Sequence, residues 1–218
     1  MHISLLQPTI IRGNIDHNAR VIQSLVNRSQ GDLLILPEYA LTGSLVLDRS
    51  ADIQAWAHRS AQVKNALRIP EGRYLLINSL IEQEGKVFNA CELLPARETY
   101  YKLYPDQTEL DAGILPGNLP KVFDICGKRF QALICYDLAH IAQIPIAEID
   151  YLVFIYHFSS ENHLRVLEEV KQVSLSRRLP VLVSSLVSDK NNGYSCYVNG
   201  ETVVSLSGQE GILEVEGI

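Results

Sequence analysis

Three side chains with reactive chemistry stand where apolar runs end. Cys135 closes the run Phe130–Ile134, Glu38 follows Leu33–Leu36 and Pro37, and Lys102 lies among Tyr100, Tyr101 and Tyr104 ahead of Pro105. Side chains at strand ends in α/β proteins emerge from the sheet into a crevice. A thiol of pKa about 8.5 becomes a good nucleophile when a base takes its proton or a cation lowers its pKa. A carboxylate within reach can be that base. A lysine ammonium can lower the thiol pKa and can also hold the oxyanion of a tetrahedral intermediate. Together the three suffice for an acyl-enzyme route that cleaves a carbon–nitrogen bond. Taken singly, each has a plainer reading: Cys135 as a small core residue, Glu38 as a solvated loop carboxylate, Lys102 as a surface charge.

The elements that must position these residues alternate between strand and helix signals. Ile3–Leu6 and Leu33–Leu36 read as buried strands, the second stopped by Pro37. Between them, Asn14 or Asp16 caps a helix carrying Ile15, Ala19, Ile22 and Val26 on one face. Ile53, Trp56, Val63 and Leu67 share a second helical face. Tyr74–Ile81 and Val87–Leu94 flank a hairpin turn near Glu84-Gly85. Asp106–Leu119 reads as loop, with Leu115-Pro116-Gly117 inside it, and Val122–Ile125 and Phe130–Ile134 are strands around Cys126-Gly127. After Cys135 the pattern predicts a short helix around Ile141–Glu148, then a strand over Tyr151–Phe158. Ser160 caps a long helix with Leu164, Leu167, Val170 and Val173 inward, and Val181–Val187 follows as a strand. Asn199-Gly200, between Tyr194–Val198 and Thr202–Leu206, signals a two-residue hairpin, and Gly211–Val215 is a last strand.

Helices separate pairs of strands as often as single strands, which argues for sheets of mixed direction covered by helices, α/β (α+β) in class, over a pure βαβ array. Neither a repeat nor a linker divides residues 1–218, which read as one domain.

Composition narrows the function classes. A net charge of −6 and a pI near 5.5 leave no basic footprint for nucleic acid. Met1–Ile11 reads as a first strand, not a signal peptide, and no apolar run reaches the roughly 20 residues that span a bilayer. Cys91, Cys126, Cys135 and Cys196 form no Cys-x-x-Cys pair, so zinc-site spacing is missing. Without a secretory signal, unpaired thiols point to the reducing cytoplasm.

Three segments in order carry a resemblance: Leu33-Leu34-Ile35-Leu36-Pro37-Glu38-Tyr39-Ala40-Leu41-Thr42-Gly43, then Tyr101-Lys102-Leu103-Tyr104, then Leu133-Ile134-Cys135-Tyr136-Asp137. Leu115-Pro116-Gly117 and Val122-Phe123-Asp124 fall between the last two. The chain resembles the nitrilase superfamily of carbon–nitrogen hydrolases over nearly its whole length. The resemblance implies a four-layer αββα sandwich of two mixed sheets covered by helices. It implies Glu38 as general base, Lys102 as transition-state stabiliser and Cys135 as nucleophile. A second acidic residue that positions substrate and base corresponds to Glu109, with Asp111 as the alternative. The main-chain N–H of Tyr136 is implied as a second oxyanion donor. The resemblance implies no metal or organic cofactor, a small-molecule amide as substrate, and at least a homodimer. The segment Leu138-Ala139-His140-Ile141-Ala142 departs from the family pattern and lacks an arginine that grips a substrate carboxylate in some relatives.

The expected activity is hydrolysis of linear amides or N-carbamoyl amines. Alternatives are a catalytically silent binding or regulatory protein with the same fold, a nitrile hydrolase, and a Cys-His hydrolase using His140, which otherwise reads as a polar helix-start residue. His157 and His163 are not spaced to share one helical face, which argues against a metal site. His157 and Phe158 close an apolar strand and are candidates for the pocket mouth. Cys91 and Cys196 lie inside strand patterns and read as packing residues, while Cys126 lies at a turn.

Overall fold

Alternation along the strands decides the layering, because successive side chains point to opposite faces of a sheet. The structure is a computed structural model and describes residues 1–44, 52–157, 162–206 and 208–217. The chain opens with β1 (Ile3–Gln7), α1 (Ile15–Arg28), β2 (Leu33–Ile35) and α2 (Ile53–Ala66). β3 (Tyr74–Gln83), β4 (Lys86–Leu94) and β5 (Glu98–Tyr101) follow, then a short helix, α3 (Gln107–Asp111). β6 (Val122–Ile125) and β7 (Lys128–Ile134) lead into a 3-10 helix at Cys135–His140. Next come β8 (Tyr151–Ile155), α4 (His163–Arg177) and β9 (Val181–Ser184). The rest is a small ribbon of β10 (Val187–Ser188) and β11 (Asn191–Asn192), the hairpin β12 (Cys196–Asn199) and β13 (Thr202–Ser205), and β14 (Gly211–Val215).

Among the described residues these strands form two six-stranded sheets, ordered β14-β1-β2-β3-β4-β5 and β13-β12-β9-β8-β7-β6. Both are mixed. β1, β2 and β3 run parallel in the first, β7, β8 and β9 in the second, and the outer strands are antiparallel. The layers can be followed residue by residue. Leu33 and Ile35 of β2 enter the core between the sheets, where they meet Phe130, Ala132 and Ile134 of β7 and Val153 and Ile155 of β8. Leu34 and Leu36 face the other way, onto Ile22, Leu25 and Val26 of α1. On the far side Leu133, Leu152 and Phe154 face Val166 and Val170 of α4. The result is the expected αββα sandwich, and no described helix is long and apolar enough to cross a membrane.

Several local expectations change. Asn14, not Asp16, caps α1, accepting from the His17 N–H at 3.2 Å. The helix expected over Ile141–Glu148 is replaced by the 3-10 turn starting at Cys135 itself. The Asp137 carboxylate accepts from the Ile134 N–H at 2.9 Å and turns the chain at once, while Pro145 supplies no N–H for a later helix. Asp106–Leu119 is not all loop: Asp106 and Glu109 form a capping box that nucleates α3. On α4, Val170 with the partly buried Leu167 and Val173 packs inward as expected, joined by Val166 and Ser174, whereas Leu164 is exposed. Asn162 stands at its N-cap, while Ser160 and Phe158 lie outside the described residues. The strand expected over Val181–Val187 stops at Ser184, and the Ser185 N–H turns to the Ser195 hydroxyl at 3.0 Å. In the last hairpin Asn199 pairs with Thr202, so the turn is Gly200-Glu201, one residue later than expected. Burial of Val198 against the α4 layer fixes that register.

Candidate active site

Each sheet delivers reactive residues to one rim of the sandwich. β2 leads through Leu36-Pro37 and places Glu38 on the following turn, which the Tyr39 N–H anchors to the Asn78 side chain at 2.8 Å. Tyr39 adopts a positive φ of 52°, and the N–H groups of Thr42 and Gly43 return to its carbonyl at 3.2 and 2.8 Å. Lys102 follows β5, its N–H bound to the Asn89 carbonyl at 2.9 Å and its carbonyl accepting from the Gly117 N–H at 2.7 Å. Only glycine fits there, because a Cβ on Gly117 would lie 2.5 Å from the Tyr101 carbonyl oxygen. Cys135 comes from the other sheet, at the end of β7, in a left-handed backbone conformation with φ 46°. Such a conformation costs a non-glycine residue roughly 1–3 kcal/mol and persists only where its surroundings enforce it. The Asp137 carboxylate does so: it accepts from the N–H groups of Ile134 and Tyr104, both at 2.9 Å, and from the Tyr100 hydroxyl at 2.7 Å. One buried carboxylate thus fastens the cysteine turn to the segment that carries Lys102.

The side chains converge. The Lys102 ammonium donates to Glu38 at 3.1 Å and to Glu109 at 2.7 Å. The Asn89 amide donates to both carboxylates, at 2.8 and 2.7 Å, and is itself oriented by Asn78 at 2.6 Å. Glu109 also accepts from the Tyr39 hydroxyl at 2.6 Å and from the Asp106 N–H at 2.9 Å. The Cys135 thiol faces this cluster, where the charges of Glu38, Lys102 and Glu109 all act on it. Glu38, Lys102 and Glu109 are buried, and Cys135 is half-buried. The Tyr136 side chain is exposed; its N–H lies in the first turn of the 3-10 helix, where no intrahelical acceptor is available.

Burial pushes the Glu38 carboxyl up to about 7, against the pull of the Lys102 charge, with the Glu109 charge adding to the rise. Burial also works against Glu109, but the Lys102 charge and the hydrogen bonds from Lys102, Tyr39 and Asn89 hold it below the ordinary carboxylate range. The Lys102 ammonium loses solvation on burial, yet the charges of Glu38, Cys135 and Glu109 raise its pKa well above normal. Burial and the Glu38 charge raise the Cys135 thiol well above normal, and Lys102 offsets them only in part. The lysine does pull the thiol pKa down, as its type predicts, but burial first and then the facing carboxylates outweigh it, so the net shift is upward. The resting set is a neutral thiol, a carboxylate able to take its proton near neutral pH, and a fixed cation.

Of the two acidic candidates, Glu109 points into this cluster, while Asp111 is exposed and receives a hydrogen bond from Gln107 at 2.7 Å. His140 closes the 3-10 helix, where a helix-start position was expected, and stacks on Tyr104 with ring centroids 4.2 Å apart. Asn89, Asn78, Tyr39 and Asp137 were not singled out from the sequence. A signal existed for Asn89, a polar residue inside a strand between Phe88 and Ala90 and on the face opposite them. Cys91 and Cys196 are buried packing residues and Cys126 is an exposed turn residue at φ 53°.

No family model and no curated protein matches the chain. Solved structures do. A glutamine-dependent NAD+ synthetase from Acinetobacter baumannii superposes with a TM-score of 0.80 at 18% identity, covering 98% of this chain. This chain spans only 44% of that protein's length. A CN-hydrolase superfamily protein from Xanthomonas campestris, with an arsenic adduct in its active site, gives 0.76 at 18% identity, over 99% of this chain and 89% of that one. An amidase from Nesterenkonia sp. AN1, of the nitrilase superfamily, gives 0.78 at 18% identity over 100% and 93%. That amidase carries the product of Michael addition of acrylamide at its active-site cysteine.

The fold is the nitrilase fold. At this identity the likeness speaks for the architecture, and the cluster of Glu38, Lys102, Glu109 and Cys135 is what this chain itself builds on the nitrilase frame.

Proposed function

We propose that this chain is a hydrolase of non-peptide carbon–nitrogen bonds, acting on linear amides or N-carbamoyl amines through an acyl-enzyme. The observation that carries the reading is a buried Glu38 carboxylate that accepts from the Lys102 ammonium at 3.1 Å and whose charge acts directly on the Cys135 thiol. Nucleophile, base and cation within hydrogen-bond reach in a desolvated pocket are what acyl transfer needs. Glu38 takes the thiol proton as Sγ attacks the carbonyl carbon. The resulting oxyanion is held by the Lys102 ammonium and the Tyr136 N–H. Collapse of the intermediate breaks the carbon–nitrogen bond, and the Glu38 proton leaves with the amine or ammonia. Water then gives a proton to Glu38, attacks the thioester and releases the carboxylic acid, while the proton returns to sulfur. Glu109 stays ionised and positions Lys102.

The same reading takes residues 1–218 as one catalytic domain, in the cytoplasm and in a homo-oligomer, with a small-molecule substrate and no cofactor in the reaction. The free thiols and the acidic balance support it. The Cys-His alternative is the weaker one, because the His140 ring is stacked on Tyr104 and meets Tyr136 edge-on.

The test is turnover of a panel of short amides, N-carbamoyl amines and nitriles, with mass spectrometry of the trapped protein. Ammonia or amine release with an acyl adduct on Cys135, lost in Cys135→Ala and in Glu38→Gln, is the expected result. Product formation that survives Cys135→Ala overturns the cysteine acyl-enzyme, and neither adduct nor product across the panel overturns the reading in favour of the silent binding protein.

A further inference from the structure

Two sheets packed face to face lie about 10 Å apart, held open by the side chains between them. Here they draw closer at the reactive rim. The Ser184 hydroxyl, at the end of β9, donates across the core to the main-chain carbonyl of Ile35, at the end of β2, at 3.3 Å. Two single bonds of about 1.5 Å separate that hydroxyl from the Ser184 Cα, so the Ile35 oxygen lies within roughly 6 Å of it. Cα atoms of β9 and β1, and of β7 and β4, likewise approach within 8 Å.

The pattern of β9 puts Ser184 at this point. Leu182 faces the core between the sheets and Val183 faces the α4 layer, so Ser184 faces the core again. Ser184 is level with Ile155 of β8, and Ile155 with Ile134 of β7. Both isoleucines fill the core with branched side chains, whereas the third member of the row is small and fully buried. At 3.3 Å its bond is long for a hydroxyl donor and stabilises little. What counts is the room that serine leaves: a branched side chain at 184 would press on the Ile35 carbonyl and hold β2 away.

The row ends beside the chemistry. Ile134 precedes Cys135, and Ile35 lies three residues before Glu38. The bonds of Lys102 and Asn89 to Glu38 and Glu109 are made on the side of the first sheet. The step from Glu38 to Cys135 crosses the gap. Asp137 ties one flank of that gap, joining the cysteine turn to Tyr100 and Tyr104. On the other flank, Gln7 at the end of β1 accepts from the Ser195 N–H at 2.7 Å. The Ser184 contact lies between these ties and is made with the strand that leads to Glu38.

We propose that Ser184 is a positioning residue, whose small side chain lets the two sheets close at the rim and so sets the separation of the Glu38 carboxylate from the Cys135 sulfur. The kinetic consequence rests on the amide-hydrolase reading; the structural one does not.

Crystal structures of the wild type and of Ser184→Val, which puts two methyl groups where serine has one hydroxyl, read the structural consequence. The Glu38 carboxylate should move about 1 Å further from the Cys135 sulfur, a displacement that can cost 100-fold in rate. The Lys102 bonds to Glu38 and Glu109 should keep their lengths of 3.1 and 2.7 Å. Ser184→Thr, one methyl group larger than serine, is the milder wedge if Ser184→Val does not fold. Ser184→Ala, no larger than serine, should leave the separation as it is. On an amide that the wild type hydrolyses, kcat per folded molecule should fall about ten-fold or more in Ser184→Val and stay within about three-fold in Ser184→Ala, with KM little changed in both. A separation that is the same in the wild type and both wedge variants overturns the proposal, as does a Ser184→Ala enzyme as slow as Ser184→Val. Unchanged turnover in Ser184→Val sinks the positioning role and keeps the hydrolase. A separation that widens in a protein hydrolysing no amide keeps the positioning role and sinks the hydrolase.

Discussion

In the proposed mechanism Glu38, as general base, carries two demands that pull its proton affinity in opposite directions. It must be ionised to accept the thiol proton, yet basic enough to keep it until the amine leaves. Burial and the Glu109 charge raise its pKa while Lys102 and Asn89 lower it, and the balance lies at about 7. A base poised near the working pH is the most effective compromise. Because the ionised form is the active one, kcat/KM on a small amide should rise with pH through about 7 and fall off on the acid side. Glu38→Gln removes the acceptor and should cost roughly 10²–10⁴-fold in rate. An acid limb unchanged in a variant with residual activity would assign the titration to another group. At this scale the sequence named the three reactive residues, since each breaks an apolar run. It could not name Asn89, whose value comes from touching Glu38 and Glu109 at once across 51 and 20 positions of chain.

The elements that present these groups are tied by Asp137. Its carboxylate joins the 3-10 turn after β7 to the Tyr100–Tyr104 segment through three donors. Burial raises the Asp137 carboxyl above its ordinary range despite those bonds, so the ionised form depends on keeping all three. In Asp137→Asn one acceptor oxygen remains and an amide donor is set against another donor. Loss of a buried hydrogen bond of this kind costs about 1–3 kcal/mol, which urea unfolding will read. The cysteine turn should also relax relative to Lys102. The expected kinetic signature is a kcat lowered ten-fold or more with KM little changed, and Tyr100→Phe should show a milder version. A kcat that stays normal once corrected for the folded fraction would reduce Asp137 to a stability role. Strand positions were legible in the sequence because short apolar runs and the stop at Pro37 are local. The helix after Cys135 was misplaced because its start depends on Asp137 meeting Tyr104, a contact 33 residues distant.

For the molecule as a whole, the spacing between the sheets is the functional dimension. Glu38 and Lys102 come from one sheet and Cys135 from the other, so the packing that holds the sheets about 10 Å apart also sets the distance from base to nucleophile. Phe130 lies in that packing, with its ring 5.0 Å from Phe123 and 5.3 Å from Tyr151. Phe130→Ala should destabilise by about 3–5 kcal/mol, measured by urea unfolding, and should lower activity in the protein that remains folded. Full activity per folded molecule would mean that the rim holds its geometry without the core beneath it.

The sequence by itself determined the apolar runs that became strands, mixed sheets covered by helices and the three reactive positions, because apolar runs and their interruptions are properties of neighbouring residues; the αββα order of layers came from the resemblance to the nitrilase superfamily. Tertiary structure alone decided that Glu109 and not Asp111 joins the cluster and that the thiol pKa rises where a neighbouring lysine suggested a fall. Each of these depends on burial and on charges brought together from distant parts of the chain, such as Lys102 and Glu38, 64 residues apart. Coulomb energies and desolvation are set by distance in space, which no spacing along the chain encodes.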